Sequence, residues 1–457
     1  MICLRLILLS SLAAAPVVAQ GVEFVWSGAL QPESVRIVAG LTSPADSVRL
    51  ALTTGDEFDD DAFFTDYRAV DAERLAVAFT LDELEPDTRY RYAVEVGGRL
   101  DTLRAGRFRT PEDGPFSFSF VMGACAETGS SRPVFDVIRR QRPLFFLHLG
   151  DFHYEDLNTA AVEPYRDAYR AVLASPSQSR LYRSTPIAYI WDDHDFGPNN
   201  SDTSAPGRGA AREAYQELVP HYPLGLGGGD VPIAQAFTLG RVHFVITDLR
   251  SAREPNRPLL DLPRSMMGEE QKAWFKERVL AANEAGGVIV WVGSVPWIDE
   301  PDLVGDTWGA YWQERQEIAD FLVEHEVENL VMLSGDAHMI AIDDGTHSDY
   351  STEQAGGFPV VHAAAMDRPG SVKGGPYSVG AFPNPTVFPP HDGQWVLMEV
   401  EDGGDSSICM EWSGYRTKWN RPSTRRLVRW SRCFEVDPAP PRVELMEDLL
   451  DGIVGEQ

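Results

Sequence analysis

The stretch PLFFLHLGDFHYED, residues 143–156, runs from a short apolar segment directly into polar and charged side chains. Its apolar half has the length and composition of a buried β-strand. Asp151 and Tyr154 follow where that strand would end, and open α/β sheets bind ligands at the carboxyl ends of their strands. A tyrosine phenolate is a hard ligand that suits a ferric ion or a similar Lewis acid. We therefore predict that Asp151 and Tyr154 contribute to a metal site.

Three further segments have the same construction, an apolar run followed by side chains that can bind metals. They are GACAE at 123–127, WDDHDFGPNN at 191–200 and LSGDAH at 333–338. The candidate ligands that they add are Cys125, Asp193, Asn199, Asp336 and His338. Four clusters at four strand ends are better explained by one shared metal centre than by four independent loops.

The WDDHD segment also contains the candidate proton donor, His194, which is suited to act as a general acid or to bind a substrate oxygen. If the preceding strand continued through the segment, Asp193 and Asp195 would lie on one side of it. Carboxylate oxygens together with the amide of Asn199, or of Asn200, suit calcium or magnesium. A solvated acidic turn without a metal is the alternative interpretation.

Two arginines end another apolar strand, in the segment TDLRSAR. Arg250 and Arg253 could each hold a phosphate group through two hydrogen bonds. In a chain with so many acidic residues, salt bridges are an equally good use for both side chains. Both interpretations stay open, with Arg250 as a candidate catalytic residue.

Acidic residues strongly outnumber basic ones, 69 to 40 in 457 residues, which gives a formal net charge of −29. Such a surface repels nucleic acid backbones and anionic lipids, so we expect no nucleic acid binding surface. Residues 1–19 contain one arginine, an apolar run and a small-residue end, which is typical of a secretory signal peptide. We therefore expect a periplasmic or extracellular protein without a membrane span.

The cysteines fit an oxidising compartment. Cys409 and Cys433 lie in alternating patterns that predict neighbouring antiparallel strands, so a disulfide between them is possible, and the sequence leaves that question open. Cys3 belongs to the signal peptide, and Cys125 is then left unpaired. Cys125 is either a metal ligand or a small buried apolar residue, and its place among the other candidate ligands favours the first.

The chain divides into regions with different patterns. Residues 20–112 contain short alternating strands, which predicts a fibronectin type III or Ig-like domain with Tyr90 or Tyr92 at its corner. Residues 116–438 alternate apolar strands with helical patterns, which predicts an α/β catalytic domain. Residues 439–457 have the pattern of a short acidic amphipathic helix.

The order of the motifs, Cys125, GDFHY, WDDHD with its pair of asparagines, then GDAH, resembles the alkaline phosphatase D (PhoD-type) family of calcineurin-like metallophosphatases. The resemblance spans residues 116–400 and implies a β-sandwich core flanked by helices, with ferric iron and calcium. The iron ligands that it implies are Cys125, Asp151, Tyr154 and His338. The residues that it implies on or near calcium are Asp151, Asn199 and Asp336. Asp193 and His194 match the place of an Asn–His pair in metallophosphatases.

The resemblance implies a secreted phosphoesterase that hydrolyses small phosphate esters with a metal-activated hydroxide. His194 would stabilise or protonate the leaving oxygen. A phosphodiesterase or phospholipase-like hydrolase is the second hypothesis, and a calcium-dependent binding protein is the third. Cys125 and Tyr154 argue against the third, because calcium alone has no use for a thiolate. We expect the protein to be a monomer.

Overall fold

The computed structural model describes residues 21–70, 72–256, 263–386 and 391–439. The predicted signal peptide and residues 440–457 of the predicted C-terminal helix lie outside these described residues. Within the described ranges, no helix combines the length and the apolar character that crossing a membrane requires.

The N-terminal part of the described chain consists of short strands separated by turns. These strands are β1 (Val22–Gly28), β2 (Val35–Leu41), β3 (Ala45–Thr53), β4 (Phe63–Phe64), β5 (Arg68–Val70), β6 (Ala76–Leu81), β7 (Arg89–Val96) and β8 (Arg99–Arg109). Strands β3, β4, β5, β7 and β8 form one sheet, and β1, β2 and β6 lie in another. Apolar side chains from both groups, such as Ile37 and Leu50, form a common hydrophobic cluster. The Tyr90 hydroxyl accepts a hydrogen bond from the Glu85 amide at 2.9 Å, which is the contact of a tyrosine corner.

The following part alternates strands with helices, as its sequence pattern predicts. Its strands are β9 (Phe118–Gly123), β10 (Phe145–Leu149), β11 (Ile187–Ile190), β12 (Gln235–Leu239), β13 (Val242–Ile246), β14 (Val288–Val292) and β15 (Leu330–Ser334). Its helices are α1 (Pro133–Gln141), α2 (Glu163–Ala174), α3 (Pro176–Tyr182), α4 (Asp193–Phe196), α5 (Arg208–Leu218), α6 (Gly268–Ala285) and α7 (Trp312–Glu324), with a 3-10 helix at Trp308–Tyr311. The chain then returns to strands, which are β16 (Met339–Asp343), β17 (Val360–His362), β18 (Gly380–Pro383), β19 (Gly393–Asp402), β20 (Ser407–Thr417) and β21 (Thr424–Glu435).

Two large sheets face each other in the centre of the molecule. The first has the strand order β21-β20-β19-β9-β10-β11-β1-β2-β6, and the second has the order β12-β13-β14-β15-β17-β16-β18. Phe244 of the second sheet meets Phe120 and Phe145 of the first, with ring centroids 5.7 and 5.6 Å apart. On the outer side of the second sheet, Phe275 of α6 packs against Trp291 of β14 at 4.6 Å. This arrangement confirms the predicted β-rich α/β architecture.

The N-terminal strands are continuous with the first large sheet. Strand β1 pairs in parallel with β11, where Gly28 lies opposite Ile187. A Cβ atom on Gly28 would lie 2.5 Å from the Ile187 carbonyl oxygen, so only glycine permits this approach. The Tyr92 hydroxyl donates to the Arg183 carbonyl oxygen at 2.9 Å across the same junction. The sheet therefore runs across the boundary predicted near residue 112, and the division into domains stays a prediction.

The structure contains the disulfide that the sequence left open. Cys409 on β20 and Cys433 on β21 are directly paired in the antiparallel ladder and are bonded to each other. Cys125 is a buried free cysteine. The covalent link therefore stabilises a hairpin at the edge of the first sheet and leaves Cys125 free for another role.

Candidate metal centre

The candidate ligands follow the ends of strands whose loops meet at one edge of the sandwich. Cys125, Asp151 and Asp193 follow β9, β10 and β11, which run in parallel in the first sheet. Asp336 follows β15 in the second sheet. The loops contact each other directly, since the Cys125 amide donates to the Gly150 carbonyl oxygen at 3.1 Å. The loops that carry the candidate ligands therefore meet, as predicted from their positions at the ends of strands.

Glycine allows these loops to approach closely at two positions. Gly150 has a φ of +98°, and a Cβ atom there would lie 2.4 Å from the Cβ atom of Asp192. A Cβ atom on Gly335 would lie 2.4 Å from the Leu149 carbonyl oxygen. Contacts this short are excluded for any side chain, so Gly150 is required for two loops of the first sheet to meet and Gly335 for a loop of the second sheet to meet the first.

Four of the candidate ligands have a left-handed backbone, which non-glycine residues rarely adopt. The φ angles are +56° at Cys125, +56° at Asp151, +68° at Asp336 and +45° at His338. Each such conformation costs about 1–3 kcal/mol and persists only where the surrounding structure enforces it. The sharp turns aim all four side chains away from their strands and into the space between the loops.

The first group of ligand atoms contains sulfur, oxygen and nitrogen. One ligand atom each from Cys125, Asp151 and His338 lies within 4.8 Å of the other two. The Tyr154 hydroxyl lies 2.7 Å from Asp151 Oδ2 and 3.1 Å from His338 Nε2. His338 Nδ1 donates to the Pro369 carbonyl oxygen at 2.7 Å, which leaves Nε2 facing the group. This donor set fits a ferric ion much better than it fits calcium.

A second group lies beside the first and shares one carboxylate with it. Ligand atoms of Asp151, Asp193 and His194 lie within 4.8 Å of one another. The Asn200 amide donates to Asp193 Oδ2 at 2.6 Å through its backbone, while the Asn199 side chain is exposed. The choice of Asn199 as a ligand therefore stays a prediction. Because Asp151 belongs to both groups, it has the position of a bridging ligand.

Several buried carboxylate oxygens accept no hydrogen bond from the residues that the structure describes. Asp151 Oδ1, Asp193 Oδ1 and Asp336 Oδ2 are inaccessible to solvent and make no hydrogen bond to the described residues. A buried carboxylate that lacks a partner is costly, and metal coordination is one of the few arrangements that satisfies it. These oxygens therefore support the presence of cations at the site.

The pKa values of the candidate ligands also indicate that their deprotonated forms require a nearby positive charge. Burial raises the pKa of Asp151 well above its usual value, and the charge of Asp193 raises it further. Burial raises the pKa of Asp336 to about 6. Burial also raises the pKa of the Cys125 thiol and of the Tyr154 hydroxyl. Metal ligands are deprotonated when they bind, so bound cations would compensate for these shifts.

Arg250 pairs with carboxylates, which was the alternative to a phosphate contact. Its side chain is fully buried, Nε lies 2.5 Å from Asp192 Oδ1, and the two terminal nitrogens lie 2.8 and 3.1 Å from the Asp306 carboxylate. Arg253 Nη2 lies 2.8 Å from the same carboxylate of Asp306. All the donors of Arg250 are engaged below the surface, so the predicted direct contact with a phosphate is not retained. Although burial opposes it, the charge of Arg250 lowers the pKa of Asp193 below its usual range.

The expectation that Asp195 lies beside Asp193 on a continued strand is wrong. Strand β11 ends at Ile190, and the WDDHD segment turns into the short helix α4. The Asp195 carboxylate accepts hydrogen bonds from the Asp192 and His153 amides, both at 3.1 Å. The capping contact at the start of a helix outweighs the apolar pattern that precedes it. Asp195 thus connects two ligand loops and is not itself a candidate ligand.

Sequence reasoning missed two cations beside the ligand groups. Lys373 Nζ lies 2.5 Å from Asp336 Oδ1. The Arg368 guanidinium stacks on the Tyr154 ring at 3.9 Å from its centroid. Both residues lie in the loop between β17 and β18, well beyond the end of β17, so neither directly follows a strand as the candidate ligands do. Asp156, at the end of the 143–156 segment, also lies beside the ligand groups, with its Oδ1 2.5 Å from His194 Nδ1.

A cavity of about 580 Å³ adjoins the first group of ligands. Its lining consists of residues 127–132, residues 367–369 and His391. Thr128 and Arg368 line the cavity and also contact Tyr154, the first through a 2.9 Å hydrogen bond from the Tyr154 amide. The cavity therefore lies next to Tyr154, although the candidate ligands themselves are not among its lining residues.

A family model for PhoD-like phosphatases matches residues 120–364, which is more than half of the chain. The chain belongs to the PhoD-like phosphatase family. The matched residues run from β9 to the end of β17 and contain the four ligand loops. Membership of the family confirms the resemblance based on the motifs, while Lys373 lies beyond the matched residues.

Two individual proteins extend this comparison. Alkaline phosphatase D of Bacillus subtilis (strain 168) is 24% identical over 308 residues, which cover 56% of this chain and 52% of that protein. The chain thus spans about half the length of this curated relative. The solved structure of PhoD matches 91% of this chain and 90% of its own with a TM-score of 0.72 and 16% identity. The likeness to that structure shows that the fold is shared.

Proposed function

We propose that this protein hydrolyses phosphate esters at the two groups of ligand side chains described above. The observation that carries the proposal is the position of Asp151 between Cys125 and His338 on one side and Asp193 and His194 on the other. A carboxylate shared by two ligand groups is suited to two neighbouring cations, which can stabilise an in-line displacement at phosphorus. Membership of the PhoD-like phosphatase family supports the same activity.

The metals that we propose are ferric iron and calcium. The residues proposed to hold iron are Cys125, Asp151, Tyr154 and His338. The residues proposed to hold calcium are Asp151, Asp193, Asn199 and Asp336. When bound, these cations supply positive charge to the phosphoryl oxygens and lower the pKa of water at the reacting centre. The thiol and the phenol support a transition metal on one side, and the carboxylates support a hard divalent ion on the other.

His194 is the proposed proton donor to the leaving oxygen. Asp156 Oδ1 lies 2.5 Å from Nδ1 of His194, and this contact orients the ring. The ring also stacks against Tyr154 with centroids 4.1 Å apart. Nε2 is then the nitrogen available to deliver a proton to the substrate. Arg250 acts indirectly, since it binds Asp192 and Asp306 below the site.

The cavity beside Tyr154 is proposed to receive the alcohol part of the substrate. Its volume of about 580 Å³ suits a small molecule, and its lining includes the charged side chains of Arg132 and Arg368. These side chains favour a polar alcohol over an apolar one. A diester also fits such a cavity, so phosphodiester cleavage is the second candidate reaction.

We also propose that the protein is exported and acts outside the cytoplasm as a monomer. The pattern of residues 1–19 supports export. The proposed fibronectin type III or Ig-like module, residues 20–112, is supported by its own hydrophobic cluster and by the Tyr90 corner. None of the candidate ligands lies in this module, so its role is structural. The strongly acidic composition disfavours nucleic acid as a partner.

The test is a comparison of purified protein before and after metal removal on matched monoester and diester substrates. We expect activity with iron and calcium, loss of activity after exhaustive chelation, and recovery when both metals return. The ratio of the two rates distinguishes a monoesterase from a diesterase. His194→Gln should lower kcat by about 10²- to 10⁴-fold at unchanged metal content, because it removes the proton donor. His325→Gln, at an exposed position, is the matched control.

Activity that survives complete removal of bound metal would contradict the proposal. Calcium without any transition metal in the purified protein, together with no turnover of either ester, would favour a calcium-dependent binding protein instead.

A further inference from the structure

Lys373 is a partly exposed cation that contacts Asp336, one of the candidate ligands. It lies in the loop between β17 and β18, and its Nζ is 2.5 Å from Asp336 Oδ1 and 3.9 Å from Asp306 Oδ2. Its side chain is 32% exposed, whereas the side chain of Arg250 is fully buried. Part of the Lys373 side chain is therefore in contact with solvent, whereas none of the Arg250 side chain is.

The loop that carries Lys373 is fastened on both sides. Ser371 Oγ donates to the Ala337 carbonyl oxygen at 3.0 Å, next to the ligand loop after β15. The Gly375 amide donates to the Ile298 carbonyl oxygen at 2.9 Å on the other side. These contacts hold the lysine over the site, so its position does not depend on the ion pair with Asp336 alone.

Asp336 has two oxygens with different surroundings. Oδ1 contacts the Lys373 ammonium, and Oδ2 is buried without a partner among the described residues. The carboxylate can therefore address a cation with Oδ2 while it holds Lys373 with Oδ1. One carboxylate thus places the ammonium directly beside the metal centre.

We propose that the Lys373 ammonium binds a non-bridging oxygen of the substrate's phosphoryl group. This inference rests on the phosphoesterase function proposed above. An ammonium group has three donors. Asp336 accepts one hydrogen bond, and Asp306 at 3.9 Å is too distant to accept another. At least one donor is free to meet an anion that enters from the exposed side.

Lys373 is therefore a further catalytic residue, in the sense that it touches the reacting phosphoryl group. Charge from the ammonium would balance the charge that develops on the phosphoryl oxygens during displacement. The competing interpretation is a purely structural ion pair that only orients Asp336. The two interpretations predict different effects of replacing Lys373 on the affinity for phosphate when the metal content is unchanged.

The test uses inorganic phosphate as the probe and the full metal-loaded protein. Phosphate binding is measured by titration calorimetry for the wild type, Lys373→Gln and Lys373→Arg, with metal content measured on the same samples. Lys418→Gln is the matched control, because Lys418 is paired with Asp392 at 2.9 Å on the hairpin between β20 and β21. Values of KM and kcat for a phosphomonoester are measured in parallel.

We expect Lys373→Gln to bind phosphate about 10- to 100-fold more weakly at unchanged metal content, as for the loss of a charged hydrogen bond. Lys373→Arg should recover part of the affinity, and Lys418→Gln should match the wild type. KM should rise and kcat should fall in Lys373→Gln. If that variant is unfolded, Lys373→Met supplies the same neutral comparison.

Unchanged phosphate affinity in Lys373→Gln, with the metals retained, would overturn the inference and leave the proposed function intact. Loss of metal together with loss of phosphate would also overturn it, in favour of a role in positioning Asp336. A wild type that holds its metals yet neither binds phosphate nor hydrolyses esters would overturn the proposed function itself, and the inference with it.

Discussion

The Tyr154 hydroxyl lies 2.7 Å from Asp151 Oδ2, three residues earlier in the chain. The same hydroxyl lies 3.1 Å from Nε2 of His338, a residue 184 positions away. The first contact arises within one loop, because the left-handed turn at Asp151 brings both side chains to the same side. The second requires both large sheets to be in place. The candidate metal centre is therefore built by local turns and completed by the packing of the sheets.

Replacing Asp151 by Asn should have opposite effects on the protein with and without metal. In the metal-loaded protein it removes the shared ligand, and kcat/KM should fall by about 10³-fold or more. In the chelated protein it removes one of several mutually repelling buried carboxylates, so the melting temperature should rise above that of chelated wild type. Metal analysis, kinetics and thermal unfolding with and without chelator measure these effects.

Asp167→Asn, an exposed aspartate on α2, is the control for this prediction and should change none of the three measurements. Full metal occupancy in Asp151→Asn would show that Asp151 is not a ligand.

Replacing Arg250 by Met should destabilise the fold strongly. The change leaves Asp192 buried without its cation and removes one of the two arginines that pair with Asp306, so the free energy of unfolding should drop by about 3–5 kcal/mol. Adding Asp192→Asn should restore part of that loss, because it removes the charge that Arg250 neutralised. Denaturant unfolding of both variants gives the values.

Arg429→Met is the matched control, since Arg429 pairs with Glu411 in a largely exposed position. Its loss should cost at most about 1 kcal/mol. Equal losses for the two arginines would contradict the importance assigned to the buried network.

Gly150→Ala should impair both stability and activity. A Cβ atom there would meet Asp192 at 2.4 Å, and the φ of +98° disfavours any side chain. We expect a loss of about 3 kcal/mol or more in the free energy of unfolding, measured by denaturant titration. Because Asp151 is the next residue, kcat/KM should fall as well. Gly209→Ala, in helix α5 with open space around its Cβ position, should instead stabilise by about 0.5–1 kcal/mol.

His148 should make the protein sensitive to mild acid. Burial lowers the pKa of His148 from 6.5 to about 3, and neither ring nitrogen has a hydrogen-bond partner among the described residues. Between these two pKa values the unfolded chain binds a proton that the folded chain does not, so stability is lost as the pH falls below 6.5. At pH 5 the loss is about 2 kcal/mol from this residue.

His148→Leu removes this titration, so the decline in melting temperature between pH 7.5 and pH 5 should be smaller than in the wild type. His325→Gln, at an exposed position, should keep the decline of the wild type. Identical pH profiles of the melting temperature for the wild type and His148→Leu would show that His148 does not cause the sensitivity to acid.

Much of the centre could be anticipated because its elements are encoded locally. Short apolar runs before Cys125, Asp151 and Asp336 predicted strands, and strands do end just before all three. The neighbouring strands of Cys409 and Cys433 could be anticipated for the same reason, because alternation along two strands predicts which residues face each other. In each case the relevant information lies within about ten residues of the chain.

Other features could not be inferred, because they depend on what packs against a residue. The sequence left two uses open for Arg250, and burial beside Asp192 and Asp306 decided between them. The strand before Asp195 ended early because a helix cap competed with the strand pattern. Lys373 had no recognisable motif, and only the folded chain places it beside Asp336.

By itself, the amino-acid sequence determined which side chains are available as ligands, which segments form strands, and which family the chain belongs to. The tertiary structure alone decided that the ligand loops meet, that Arg250 is buried in ion pairs, and that the first sheet continues into the N-terminal strands at Gly28. The physical reason is the separation along the chain between the residues that interact. Periodicity and turn chemistry act between near neighbours in the chain, whereas burial and ion pairing depend on residues that only the packed sheets bring together.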